Sequence, residues 1–209
     1  MLKQRVITAL VLLAILLPAL FYPSVVPFAV VVLLLMAASA WEWARLNGYG
    51  MGPSVAAGIV CVALCALAWQ SGWLLQPLTG LWLVGGVLWV LGSAAMLYAG
   101  VSGWPRVPVL LRLLGGLLVL WLAWLAAVQA RMVGINFLLS ALALVWVADI
   151  AAYFAGRAFG LRFTKNRLAP SISPGKSWEG VWGGGVGVLG LALVWVVADA
   201  AWQAPVASL

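Results

Sequence analysis

Five residues of the chain could do chemistry by their type and spacing. Asp149 lies inside a stretch apolar enough to cross a membrane, and the cations Arg162, Lys165, Arg167 and Lys176 follow it with no acid among them. A carboxylate can ligate a divalent metal, and cations with free backbone N–H groups can hold phosphate. A charged side chain at the centre of a span costs about 2.5–3.5 kcal/mol on insertion scales, so such residues are expected to face a bundle interior or a wet cavity. Asp149 stands ten residues before Phe159, roughly 15 Å along a helix. Helical spacing puts Asp149, Tyr153, Gly156 and Gly160 on one stripe, and the two glycines allow a neighbour or a ligand close. The structural alternative is a carboxylate paired with Arg157.

The end of the basic segment is more specific. Ser173-Pro174 has the form of a helix N-cap followed by proline at the first helical position. Free N–H groups there would point at an anion, and the helix dipole would add to the attraction. Lys176 in that first turn would supply a mobile point charge, and Gly175 would let a ligand approach the backbone. The segment is not a Walker A loop: Gly175-Lys176-Ser177 matches its end, but Pro170 stands where the first glycine is required. Glu179 either binds a metal, orients Lys176 or is a favourable acid in a helix's first turn. Gly180-x-x-x-Gly184 and Gly183-x-x-x-Gly187 are close-packing patterns. They predict packing against the glycine stripe of the preceding helix, which would bring Asp149 and the phosphate-binding residues to one cavity.

The elements that must position these residues are membrane helices. Of 209 residues, 67% are hydrophobic and 7% charged, and mean hydropathy is +1.17; a water-soluble domain carries roughly 25% charged residues. The apolar runs are continuous rather than alternating, which excludes a barrel. The expected fold is an all-α polytopic bundle of about seven spans, forming a single integral membrane domain over 1–209. The spans are Met1 to Tyr22, Val25 to Ala44, Ser54 to Trp69, Leu78 to Tyr98, Leu113 to Ala130, Asn136 to Phe159 and Trp178 to Ala201. Trp41, Trp43, Trp73, Trp104, Trp178 and Trp202 near the run ends suit an interfacial belt. Glu42 and Arg45 are spaced to pair on a helix at the surface.

Charge and cysteine usage fit this class. The net charge of +7 could suggest nucleic acid, but loop asymmetry explains it better. With the N-terminus inside, Lys3, Arg5, Arg45, Arg106, Arg112, Arg157, Arg162, Lys165, Arg167 and Lys176 all fall on the inner side and Arg131 alone outside, a positive-inside pattern. That orientation makes the N-terminus and the basic loop 160–177 cytoplasmic. Cys61 and Cys65 lie one helical turn apart in an apolar run and read as lipid- or helix-facing thiols, not a structural disulfide or a metal site. With no histidine in the chain, His acid/base chemistry and His metal ligation are excluded.

The segment Asp149 to Gly160, then Leu168-Ala169-Pro170 and Ser173-Pro174-Gly175-Lys176-Ser177-Trp178-Glu179-Gly180, resembles the phosphatidate cytidylyltransferase family, the bacterial CDP-diacylglycerol synthases. The start MLKQRVITAL and the segment Ala40 to Leu46 are similar to that family as well. The resemblance implies transfer of a cytidylyl group from CTP to phosphatidic acid, giving CDP-diacylglycerol and pyrophosphate. It implies Mg2+ held in part by Asp149, phosphate groups held by Lys176 and Ser173, and secondary contacts from Lys165 and Arg167. Arg157 and Glu179 complete the substrate-binding candidates. The implied partners are CTP, phosphatidic acid and membrane lipids rather than nucleic acid, with room for a homo-oligomer, in a bacterial inner membrane. The family pattern continues with a Lys-Asp element and a His-Gly-Gly-x-x-Asp-Arg-x-Asp signature that these residues lack. The sequence therefore reads as a C-terminally truncated member, expected to be inactive or impaired alone. The competing readings are a transporter or ion-conducting protein using Asp149 as its ion site, and a non-catalytic remnant.

Overall fold

The structure, a computed structural model, describes residues 2–170 and 172–203. Among them are seven α-helices: α1 (Leu2–Phe21), α2 (Val26–Leu46), α3 (Met51–Gln70), α4 (Thr79–Ala99), α5 (Val109–Val133), α6 (Ile135–Phe159) and α7 (Trp178–Gln203). Six of these, α2 to α7, are long and apolar enough to cross a membrane, and α1 adds the shorter apolar stretch Val6–Phe21. This is the all-α polytopic bundle expected from the seven apolar runs. The chain divides into two compact units, Met1–Leu138 and Leu139–Leu209.

In the first unit the core lies among α2, α3 and α5. Ala40, Ala44, Cys61, Cys65, Leu125 and Val128 there have no exposed surface, and Trp124 is 2% exposed. Lipid tails are as apolar as leucine, so small residues that admit close backbone approach decide where such helices meet. Gly58 illustrates the limit: a Cβ added there would sit 3.1 Å from the Ala37 carbonyl oxygen. Trp124 departs from the interfacial pattern of its kind, because its indole N–H reaches the Ala29 carbonyl at 3.0 Å inside the core. A buried indole needs such a partner.

Two polar side chains tie helix ends in this unit. Arg131 donates from Nε to the Leu20 carbonyl and from Nη2 to that of Tyr22, both at 2.8 Å. The single cation expected on the outer side thus satisfies carbonyls at the end of α1 that have no helical partner. Gln129 donates to the Trp73 and Gln76 carbonyls, each at 3.0 Å, and accepts from Trp82 Nε1 at 3.1 Å. Arg45 lies over the Trp41 ring, 5.4 Å from its centroid, so it finds its partner in an aromatic face rather than in Glu42. The fifth helix begins earlier than the sequence suggested. Pro108 is its N-cap, and Arg112 fits within the first turns because its guanidinium donates to the Val107 and Pro105 carbonyls.

The second unit is the rest of α6, a two-stranded antiparallel hairpin and α7. The strands are β1 (Arg167–Ala169) and β2 (Ser173–Ser177), paired Arg167 to Ser177 and Ala169 to Ser173. Helices α6 and α7 meet through glycines on α7, as their spacing predicted, but the facing surface of α6 is chiefly alanine. A Cβ on Gly180 would lie 3.0 Å from the Ala152 carbonyl oxygen, and one on Gly184 would lie 3.1 Å from that of Ala148. Added side chains at Gly183 and Gly187 would collide with the Ala155 and Ala151 methyls. Gly183→Val should therefore lower the thermal unfolding midpoint in detergent, with an overpacking cost of about 1–3 kcal/mol. Gly185, where a Cβ meets nothing within 4 Å, should tolerate the same change. Equal midpoints for Gly183→Val and Gly185→Val would rule the interface out as a source of stability.

Candidate anion-binding hairpin

The site residues are held by what happens between α6 and α7. The start of α7 is displaced from the position the sequence suggested. Ser173 to Ser177 pair with β1 as a strand, so Ser173 caps no helix and Pro174 is not at a first helical position. Proline is tolerated in such a strand because an edge position leaves it no ladder bond to donate. The cap is Ser177, whose hydroxyl accepts from the Gly180 N–H at 3.3 Å, three residues into the helix as an N-cap requires. The same hydroxyl faces α6: Cβ atoms on Gly156 and Gly160 would lie 3.6 and 3.4 Å from it. Glycine at these two positions is what lets the cap sit against the end of α6.

Lys176 is consequently on a strand, next to the cap, with its side chain exposed. Arg167 is exposed at the same end of the hairpin, since its strand partner is Ser177, and its guanidinium donates to the Pro174 carbonyl. Lys165 is exposed two residues before β1, and half-buried Ser173 lies at the other end of β2. The hairpin therefore gathers Arg167 and Lys176 at one end. Arg157 is an exposed residue on α6 that donates to the Tyr153 hydroxyl at 3.3 Å.

Glu179 is the organising side chain. It is 3% exposed, and its two oxygens take four donors. The Leu161 N–H reaches Oε2 at 3.2 Å, while Oε1 accepts from the Phe163 N–H at 3.0 Å, the Thr164 N–H at 2.7 Å and the Thr164 hydroxyl at 2.9 Å. A carboxylate engaged this way fastens the turn after α6 to the first turn of α7. Leu161 has φ +62°, a left-handed conformation that costs an L-residue roughly 1–2 kcal/mol. Its N–H bond to Glu179 helps hold it there. Thr164 was not among the sequence candidates, since a lone threonine in a basic loop carries no signal of its own.

Asp149 does not join this cluster. It is exposed, one residue on from Ala148, and one residue on a helix is a rotation of about 100°. Because Ala148, Ala151, Ala152 and Ala155 form the face that meets α7, Asp149 and the exposed Tyr153 lie off it. Of the predicted stripe only Gly156 and Gly160 reach the packed region. Asp149 also lies seven residues before Gly156, about 10 Å along the axis, so α6–α7 packing does not carry it to the hairpin. Among the described residues no three His, Cys, Asp or Glu side chains group as a metal site. Mg2+ is commonly held by one or two carboxylates together with substrate phosphates. Asp149 is the carboxylate the sequence singled out for such a role, and alone it is not a metal site.

Known proteins resemble this chain in sequence. The sequence profile described as "Cytidylyltransferase family" matches residues 3–209. A phosphatidate cytidylyltransferase from Pseudomonas aeruginosa is 39% identical over 191 residues, covering 88% of this chain and 66% of that protein. One from Haemophilus influenzae is 32% identical over 216 residues, covering 94% of this chain and 73% of its own length. One from Brucella melitensis is 47% identical over 70 residues, 32% of this chain and 24% of the relative. The chain thus spans about two thirds of the longer-matching relatives. No solved structure matches it.

The Glu179 clasp can be tested directly. Glu179→Ala should speed hydrogen exchange at the Leu161, Phe163 and Thr164 amides by at least about tenfold, the scale of losing bonds to a charged acceptor. Amides in mid-α6 should be unaffected. Unchanged exchange at those three amides would show that the turn holds its shape without the carboxylate.

Proposed function

The chain belongs to the cytidylyltransferase family, and we propose that it carries the cytidylyl-transfer chemistry of the phosphatidate cytidylyltransferases it is similar to. In this reading CTP and phosphatidic acid are the substrates. An oxygen of the lipid phosphate attacks the α-phosphorus of CTP, the bond to the oxygen bridging the α- and β-phosphates breaks, and pyrophosphate leaves with that electron pair. The observation that supports a role for this part of the chain is the hairpin: it presents exposed Arg167 and Lys176 at one end, beside the capped start of α7.

The chain's own residues would act by position and charge. Lys176 and Arg167 would neutralise the phosphate oxygens of CTP and the charge growing on the leaving pyrophosphate; preset cations are effective there because they need no rearrangement during reaction. Ser173 would donate its hydroxyl to a phosphate oxygen. Lys165 and Arg157 would lie on the approach of the anionic substrates. Glu179 would act through the turn it fastens rather than by touching substrate. Mg2+ is proposed as the cofactor, with Asp149 as one ligand; the described residues do not complete its coordination.

The reading also assigns an orientation. A lipid phosphate must meet a nucleotide from the cytoplasm, so the hairpin would lie at the cytoplasmic face of the bacterial inner membrane. The ten cations of the positive-inside pattern favour that side. Self-association is compatible with this reading and is not required by it.

Membranes carrying this chain within a full-length family protein should form CDP-diacylglycerol from CTP and phosphatidic acid when Mg2+ is supplied. Lys176→Ala should lower kcat/KM by about 10²–10³-fold, the loss seen when one preset donor to a developing anion is removed. Its thermal midpoint should stay at the wild-type value because the side chain is exposed. Asp149→Asn should raise the Mg2+ concentration needed for half-maximal rate. Normal turnover by Lys176→Ala, at any Mg2+ concentration, would take the hairpin out of the reaction.

A further inference from the structure

The first unit contains a cavity of about 790 Å3 between α2, α4 and α5, which the proposed chemistry does not use. Helix α4 has no buried residue. It approaches α5 through the Trp82–Gln129 bond and through Gly85, where a Cβ would lie 3.8 Å from Leu122. Between these helices the wall is apolar, formed by side chains such as Leu88, Met96 and Val119. The lining residues of α5 run from Leu111 to Leu120, roughly 14 Å of helix at 1.5 Å per residue. One leaflet of a bilayer has a hydrocarbon depth of about 15 Å, half of the whole core.

The lining charges gather at one end. Glu42 is near the end of α2, and Arg112 is near the start of α5. The Arg112 guanidinium lies over the Trp104 ring, 5.4 Å from its centroid, and the Trp43 ring packs edge-on against Trp104 at 6.0 Å. Trp43 is itself fixed by its bond to the Arg112 carbonyl at 3.0 Å. Two hydrogen bonds to backbone carbonyls hold the guanidinium in place. A leaflet-deep apolar crevice with one carboxylate and one guanidinium at its mouth complements a molecule with a long hydrocarbon tail, a phosphate and an ammonium.

We propose that this crevice binds a zwitterionic phospholipid with an ethanolamine-type headgroup. Its acyl chain lies between α4 and α5, its phosphate faces Arg112, and its ammonium faces Glu42. The site is independent of the proposed transfer chemistry, whose lipid substrate is anionic and carries no ammonium.

Two glycines of the wall allow the crevice to be filled without a clash, because a Cβ on Gly92 or on Gly115 meets nothing within 4 Å. The test uses the full chain in nanodiscs of equal phosphatidylethanolamine and phosphatidylglycerol, released intact and weighed with its retained lipid by native mass spectrometry. Wild type should retain phosphatidylethanolamine about two- to fivefold over its bulk share, the discrimination that one interfacial ion pair confers. Gly92→Leu/Gly115→Leu should lose the retained lipid while keeping wild-type helical content. Glu42→Gln, an exposed change, should keep a lipid but lose the headgroup preference. Lipid retained in bulk proportion, a preference unaltered by Glu42→Gln, or added phosphatidic acid displacing phosphatidylethanolamine would each overturn the proposal.

Discussion

The carboxylate of Glu179 governs the shape of the second unit. A transmembrane helix must end, the chain must reverse through polar surroundings, and another helix must begin, leaving carbonyls unpaired at the first end and N–H groups to be satisfied in the turn and at the second start. Three of those N–H groups, at Leu161, Phe163 and Thr164, converge on one acid in the first turn of α7. An acid at that place also meets the positive end of the helix dipole. The hairpin that follows inherits its position: with residues 161–164 fastened to α7, Arg167 and Ser177 are brought to pair, and Lys176 lies beside them.

Beneath the clasp, the contact between α6 and α7 sets the geometry. Glycine on one helix and alanine on the other leave almost no side-chain layer between the two backbones. In a bilayer this close approach is a principal source of helix association, because hydrocarbon offers no hydrophobic drive. The first unit solves the same problem with Ala, Gly and Cys at the meeting of α2 and α3, and adds polar ties at its helix ends through Arg131 and Gln129.

The helices were legible in the sequence because each apolar run is long and closely bounded by Gly, Pro or charge. The site was legible only in part. Glycine spacing on α7 correctly announced a close contact, but the stripe of Asp149, Tyr153, Gly156 and Gly160 shares its helix with a second small-residue stripe, Ala148, Ala151, Ala152 and Ala155. Periodicity alone does not rank one stripe above the other, and the alanine face is the one α7 uses. Ser-Pro before a helix has the same local chemistry whether it caps that helix or sits in a short strand. The pairing of Ser173 with Ala169 on β1, a contact outside any local rule, decides it. An acid at the second helical position is common for electrostatic reasons, so nothing in its spacing revealed that Glu179 reaches back to Leu161.

The near absence of side chains between α6 and α7 also restricts how this part of the chain can drift in evolution. Ala155 faces Gly183 and Ala151 faces Gly187, so each pair shares a fixed volume. Exchange of alanine and glycine across a pair conserves that volume, while enlargement of either member alone does not. Among related chains these positions should vary as pairs, leaving a record of backbone contact in residues that carry no charge, no hydrogen bond and no chemistry.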